Sequence, residues 1–319
     1  MPENLELLAI GETMVMVSPE QGGRLAGHGT YILRPGGAES NVASHLAKMG
    51  HHVGWASVLG SDPLGDIIID TLNSDGVDTA SVMRHPDRPT AVYFKDPTGT
   101  ETTVYYYRKG SAASSMSVQD VPAWLRRAPR IVHLSGITPA LSESCRALTR
   151  HIIFDRPFGD ALISFDVNHR ASLWGGQGGD ELLDLAQASD IVFVGRDEAE
   201  RIWGTTNAES VRSLIGRPGH LIVKDGAHEA VGFTPEGTFR EPALKVEVVD
   251  VVGAGDGYAA GWLSGMLQNV PQDVRLRMGH SVASRVILST SDAADLPSAQ
   301  ELAGDTNQPG STLTAPPHR

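Results

Sequence analysis

ALISFDVN, residues 161–168, runs through small, branched and aromatic apolar side chains and then ends in Asp166 and Asn168, with Arg170 two places further on. An apolar run without polar alternation marks a strand covered on both faces, as in a parallel sheet sandwiched by helices. Four other runs have the same form: LLAIG (7–11), IVHLSG (131–136), DIVFVG (190–195) and HLIVKDG (220–226). Helix-like segments separate them. From Ala38 to Met49, Val42, Leu46 and Met49 share one stripe and Gly50 supplies a C-terminal stop. Gly65 to Asn73 aligns Ile68 with Leu72, and Asp180 to Gln187 turns Leu182, Leu183 and Ala186 inward. Alternation of this kind predicts an α/β fold with a doubly wound, mostly parallel sheet.

Two stretches break the alternation. TAVYFKDPTGTETTVYYYRKG (90–110) is a pair of β-rich runs about a DPTG turn, which is the pattern of a hairpin. Residues 13–35 repeat the theme, with VMVSPE and TYILRP around a Gly-rich turn. Ribbons at about 13–35 and 89–111 therefore predict a small β-sheet lid on a single domain spanning 1–303. The final GDTNQPGSTLTAPPHR (304–319) holds mostly turn-forming and polar residues and is expected to be a disordered tail. No internal repeat is found.

Composition narrows the function classes. Of 319 residues 40% are hydrophobic, enough for a full core, and one cysteine, Cys145, rules out an intramolecular disulfide or a thiolate-rich metal site. The start MPENLELLAIG carries acidic residues where a signal peptide needs basic ones, and no apolar run reaches the roughly 18 residues of a membrane span. A cytoplasmic location is the expectation. Lys+Arg 26 against Asp+Glu 38 gives a net charge of −12, which repels nucleic acid and anionic membranes. A negatively charged ligand must then be held by local cations and backbone dipoles. Glycine, 35 of 319 or about 11%, exceeds the usual roughly 7%.

Ligands of open parallel sheets lie beyond the carboxyl ends of the strands. The run-ends are Gly11-Glu12, Ser135-Gly136, Asp166-x-Asn168-x-Arg170, Gly195-x-x-Glu198 and Lys224-Asp225-Gly226. Each alone reads as a strand breaker; together they gather ionisable groups at one edge. Two glycine clusters extend the set. In DVVGAGDGYAAGWL (250–263), Gly253, Ala254 and Gly255 precede a small-residue helix, so their N–H groups make a local anion site, with Asp256 in the first turn either as a helix-dipole partner or as a base. A dinucleotide fingerprint would need glycine at 258, where Tyr258 stands, and a strand after it, where 271–288 is helix-like. No lysine follows a glycine, which excludes a P-loop. In PGGAESN (35–41), Gly36 and Gly37 let backbone approach a ligand and Asn41 lies on the following helix.

GGAESNVASHLAKMG (36–50), continued by GWASVLGSDPLG (54–65), resembles the first signature of the ribokinase-like (PfkB) family of carbohydrate kinases, and DVVGAGD (250–256) resembles the second. The resemblance spans about 5–297. It implies ATP and Mg²⁺ as cofactors, γ-phosphoryl transfer to a sugar hydroxyl, Asp256 as catalytic base, Gly253, Ala254 and Gly255 as anion hole, and sugar contacts from Gly36, Gly37 and Asn41. Nucleotide would lie along Asn168, Arg170, Lys224, Gly226 and 253–255.

YYYRKGSAAS (105–114), HLSGITPAL (133–141) and FDVNHR (165–170) followed by Leu173-Trp174 are similar to the branch of that family acting on 2-keto-3-deoxygluconate. An acid sugar carries a carboxylate, and arginine suits bidentate carboxylate contact. Tyr106 and Arg108 share a strand face; the resemblance implies that they reach substrate with Tyr93, that Arg170 stands at the sugar–phosphate junction, and that phosphorylation falls on the terminal C6 hydroxyl. The chain departs from the family pattern at Val251 and Val252, where a hydroxyl is lost, and at Gly195, which replaces the Asn of N-x-x-E and leaves Glu198 as the metal-linked residue, through water. A kinase for fructose, ribose or keto-deoxy-galactonate, or a non-catalytic sugar or nucleotide sensor of the same fold, remain the alternatives. The edge of a lid ribbon invites pairing into a homo-oligomer. His51-His52 and Cys145 read as surface and structural residues.

Overall fold

The computed structural model describes residues 4–98, 101–246, 252–288 and 296–306. Its strands are β1 (Leu7–Ile10), β2 (Met14–Pro19), β3 (Tyr31–Gly36), β4 (Val53–Gly60), β5 (Asp78–His85), β6 (Val92–Thr98), β7 (Glu101–Tyr107), β8 (Ile131–Ser135), β9 (Leu162–Asp166), β10 (Ile191–Gly195), β11 (His220–Asp225), β12 (Glu229–Thr234) and β13 (Gly237–Pro242). Nine of them form one sheet in the order β13-β12-β11-β10-β9-β8-β1-β4-β5. From β11 to β5 every pairing is parallel; β12 and β13 add an antiparallel edge. The chain winds outward from β1 through β4 to β5, then returns to β8 and winds the other way to β11. The switch point lies between β1 and β8, the place where an open α/β sheet leaves a crevice.

Strand periodicity sorts the core into two layers. Leu8, Ile10, Val132, Leu134, Ile163, Phe165, Val192 and Val194 face one side, packed on Leu148, Leu182, Leu185 and Val211 from the helices Glu143–Arg150, Gly179–Ala188 and Ala208–Ile215. Their neighbours Leu7, Ala9, Ile131, Ile191, Phe193 and Ile222 face the other, against Val42, Leu46, Ile68, Leu72, Trp262 and Met278. These come from the helices Ala38–Lys48, Pro63–Ser74, Ala254–Leu267 and Gln272–Ile287. Helices on both faces make the sheet doubly wound, as its unbroken apolar runs require.

Strands β3, β2, β6 and β7 form a separate four-stranded sheet in that order. Each ribbon pairs antiparallel within itself, and β2 joins β6 in parallel. Met14, Met16, Ala91 and Tyr93 give it a small apolar core. Asp62 fastens it to the body, accepting from Gly65 N at 2.9 Å as the cap of the helix Pro63–Ser74 and from Thr90 N at 2.8 Å at the ribbon's start.

Several elements differ from the expectation. The apolar runs leave strands β4, β5, β12 and β13 unmarked. Residues 304–306, expected in the tail, continue the helix Ala299–Thr306, whose Leu302 and Thr306 are buried. Residues 307–319 lie outside the described residues, as do Asp250 and Val251. No helix among the described residues is long and apolar enough to cross a membrane.

Candidate active site

The strand ends around the switch point and the inner face of the small sheet enclose a cavity of about 640 Å³. Gly36, Gly37, Asn41, Tyr93, Tyr106, Arg108, Asn168, Arg170, Glu198, Lys224, Gly253, Gly255 and Asp256 all line it. Ala254 and Gly226 are not among its lining residues; Gly226 takes a turn conformation, φ +50°, between β11 and β12.

Local chemistry explains the floor. Gly253 caps the helix Ala254–Leu267 with φ +79°, in the left-handed region that a side chain disfavours. The first turn is small, and a Cβ on Gly255 would lie 3.4 Å from Lys224 Nζ, so the absence of side chains leaves the helix N-terminus and the ammonium facing one space. Behind it, a Cβ on Gly261 would come 2.4 Å from Met278 O, so this glycine serves the approach of two helices, not a ligand.

Asp256 is the charged centre. Asn41 Nδ2 donates to its Oδ2 at 2.8 Å, joining the two glycine-cluster helices across 215 residues. Withdrawal from water and the negative charge of Asp166 push its pKa up to about 7, against the opposing pull of Asn41, Arg170 and Lys224. Lys224 Nζ donates to Asp166 Oδ2 at 3.1 Å; burial works against the ammonium, but Asp166, Glu198 and Asp256 hold its pKa above the ordinary lysine value. The site's carboxylates and its lysine therefore form one coupled group.

Glu198 accepts from Gly195 N at 3.1 Å and from His169 N. It braces the β9 exit loop, where Asn168 adopts φ +36°, a strained conformation for a non-glycine residue. Burial and Asp166 push its pKa up. Among the described residues no three His, Cys, Asp or Glu side chains come together as a metal cage. The donor set, separate carboxylates beside a lysine, suits Mg²⁺ carried mainly by phosphate oxygens and water, as this cation prefers.

At the lid end the arginine is already paired. The β6–β7 register sets Tyr93 opposite Tyr106, rings 5.7 Å apart. Arg108 follows on the same face, but its Nε donates to Glu12 Oε2 at 2.8 Å and its Nη2 pairs with the same oxygen. Ser111 Oγ donates to Glu12 Oε1 at 2.5 Å. A second buried carboxyl, Glu39, accepts from Ser135 Oγ at 2.7 Å and Thr138 Oγ1 at 2.9 Å, and its pKa is raised by burial. A Cβ at Gly11 would lie 2.1 Å from the Glu39 carboxyl carbon, so a side chain there would displace that carboxyl.

The sequence marks Glu12 and Asp166 only as strand ends, with no role of their own, and leaves Glu39 unmarked. Glu39 lies inside a glycine cluster and only its contacts reveal it. Lys95 and Lys109, also lining the cavity, carried no sequence signal.

The model of the pfkB family carbohydrate kinase matches residues 4–299. Among curated proteins the chain is similar to 2-dehydro-3-deoxygluconokinase of Bacillus subtilis (strain 168), 35% identical over 308 residues that cover 94% of each. Among solved structures it is similar to a PfkB protein from Polaromonas sp. JS666, with TM-score 0.84, 32% identity and coverage of 93% of this chain and 99% of that one. A putative ribokinase II from E. coli, solved in complex with ATP and Mg²⁺, shares the fold at TM-score 0.82 and 21% identity, over 94% of this chain and 98% of that one.

Proposed function

The chain belongs to the pfkB family of carbohydrate kinases, and from that premise we propose that it transfers the γ-phosphoryl group of ATP to the terminal C6 hydroxyl of 2-keto-3-deoxygluconate (2-dehydro-3-deoxygluconate). The observation that carries the reading is the joining of Asp256, at the helix N-terminus, to Asn41 of the sugar-side glycine cluster inside a cavity roofed by Tyr93, Tyr106 and Arg108. The similarity to a 2-dehydro-3-deoxygluconokinase supports the substrate.

In the proposed step Asp256 accepts the C6 hydroxyl proton as that oxygen bonds to the γ-phosphorus and the bond to the β,γ-bridging oxygen breaks, leaving ADP. The N–H groups of Gly253, Ala254 and Gly255 and the cations Lys224 and Arg170 neutralise the charge that develops. Mg²⁺, when it arrives with the nucleotide, supplies further neutralisation of the phosphates. Gly36, Gly37 and Asn41 hold the sugar, and Tyr93, Tyr106 and Arg108 its far end.

Coupled ADP-release assays over acid and neutral sugars test the substrate. Asp256→Asn is expected to lower kcat by about 10³-fold or more while ATP affinity stays within about twofold; near-normal turnover would remove the base. One observation favours a second reading, a neutral-sugar kinase of the same fold: the Glu12 carboxylate already pairs with Arg108. Unchanged KM for the preferred substrate in Arg108→Leu would decide for it.

A further inference from the structure

Deepening that reading, and resting on it, we infer that Glu12 is the positioning residue that sets how Arg108 meets a carboxylate, and is thereby a determinant of specificity for acid sugars. Glu12 stands between β1 and β2, where the chain leaves the body for the small sheet; Arg108 follows β7, where it returns. The two side chains, 96 residues apart in sequence, meet at the cavity wall, with Glu12 fully buried and Arg108 only 11% exposed.

A guanidinium offers a carboxylate two flat edges, the Nε/Nη2 side and the Nη1/Nη2 end. Glu12 takes the first edge with one oxygen, and the hydroxyl of Ser111 occupies its other oxygen, so the acid cannot turn away. The Nη1 end accordingly is the edge left for a ligand in the cavity. A free arginine must give up its rotamer freedom when it binds; one already held by a buried partner does not, and presents its remaining edge at a fixed angle. Pairing also cancels the charge of Arg108. Selection of an acid over a neutral sugar then depends on the direction of two N–H donors more than on net charge.

Removal of the brace should weaken acid-sugar binding only through Arg108. The experiment is a cycle of Glu12→Gln, Arg108→Met and the double variant, followed by KM and kcat for 2-keto-3-deoxygluconate, for its carboxamide and for ATP. Glutamine keeps the shape and one acceptor oxygen, and the double variant leaves no unpaired charge, so the fold is retained in at least one arm. Glu12→Gln is expected to raise the acid-sugar KM about tenfold, with kcat within about twofold and the carboxamide and ATP constants unchanged. On the Arg108→Met background the same substitution should change nothing beyond about twofold.

Equal losses for acid and carboxamide, additive effects in the cycle, or a lowered acid-sugar KM in Glu12→Gln would each overturn the inference. A different result separates it from the reading beneath: if Arg108→Met leaves the acid-sugar KM untouched, carboxylate capture by Arg108 itself fails. If Arg108→Met raises it and Glu12→Gln does not, only the role of Glu12 fails.

Discussion

In the proposed step Asp256 is the base, and its proton affinity exceeds that of an ordinary surface aspartate. Its pKa of about 7, raised by withdrawal from water and by Asp166, means that a base working as the carboxylate gains activity as pH rises through that value. The logarithm of kcat/KM should climb with slope about one below pH 7 and level off above it, whereas a carboxyl of ordinary pKa would give a flat profile from pH 5.5 to 8. Asn41 stabilises the ionised form, so Asn41→Ala should move the midpoint to higher pH. A profile that stays in place in that variant would separate Asn41 from the titration. At this scale the sequence carried much of the site: Asp256, Asn41, Lys224 and Arg170 stand at strand ends or helix starts, where residue type and position go together. The Glu12–Arg108 and Glu39–Ser135 pairs join residues 96 apart, and no periodicity encodes a contact of that separation.

Among the elements, the pair of helices Ala254–Leu267 and Gln272–Ile287 shows a second use of glycine. The surplus first suggests backbone close to ligands, but a Cβ on Gly37 would come 2.4 Å from Glu12 O, so that glycine serves a close approach within the chain, and Gly261 likewise lets one helix lie against the carbonyl of Met278. Gly261→Ala should push the helices apart, at about 1–3 kcal/mol of overpacking, read as a lowered midpoint in thermal or urea unfolding. Because the same helix begins at the cavity floor, kcat should fall as well. Stability unchanged within about 0.5 kcal/mol would refute the tight contact. Long apolar runs were legible because both faces of β8 to β11 are covered. β4, VGWASVLG, is equally buried along all eight residues, but its Gly54, Ala56, Ser57 and Gly60 hide the strand among small side chains that pattern reading assigns to turns. The antiparallel β12–β13 edge, with exposed polar residues on β13, gives no apolar run at all.

Across the whole molecule, a net charge of −12 surrounds a cavity whose lining sets Lys95, Arg108, Lys109, Arg170, Arg201 and Lys224 against Glu12, Asp166, Asp197, Glu198 and Asp256. Anions are thus held by placement, not by the field of the protein. Among the described residues, the outer strands β3 and β7 leave both edges of the small sheet without a strand partner, and Leu33, Tyr105 and Tyr107 are 43%, 46% and 64% exposed there. Pairing of two copies through this sheet, the expectation from its ribbon edges, predicts a particle of twice 33.9 kDa by light scattering, reduced to one copy by Tyr107→Glu. A monomeric mass for the unaltered chain at micromolar concentration would exclude it.

The small sheet also has a consequence for how such a molecule changes. Met14 lies across from Gly36, and Val92 across from Tyr107, so the two ends of each ribbon are cross-strand neighbours. A ribbon anchored in this way behaves as an exchangeable cassette: its tip can be lengthened, trimmed or grafted while the body sees the same two attachment points a strand-width apart. The floor of the cavity, built from other segments, need not move. On the proposed function, substrate range and reaction can therefore drift independently, the one by rewriting the roof, the other held by the helix beneath it.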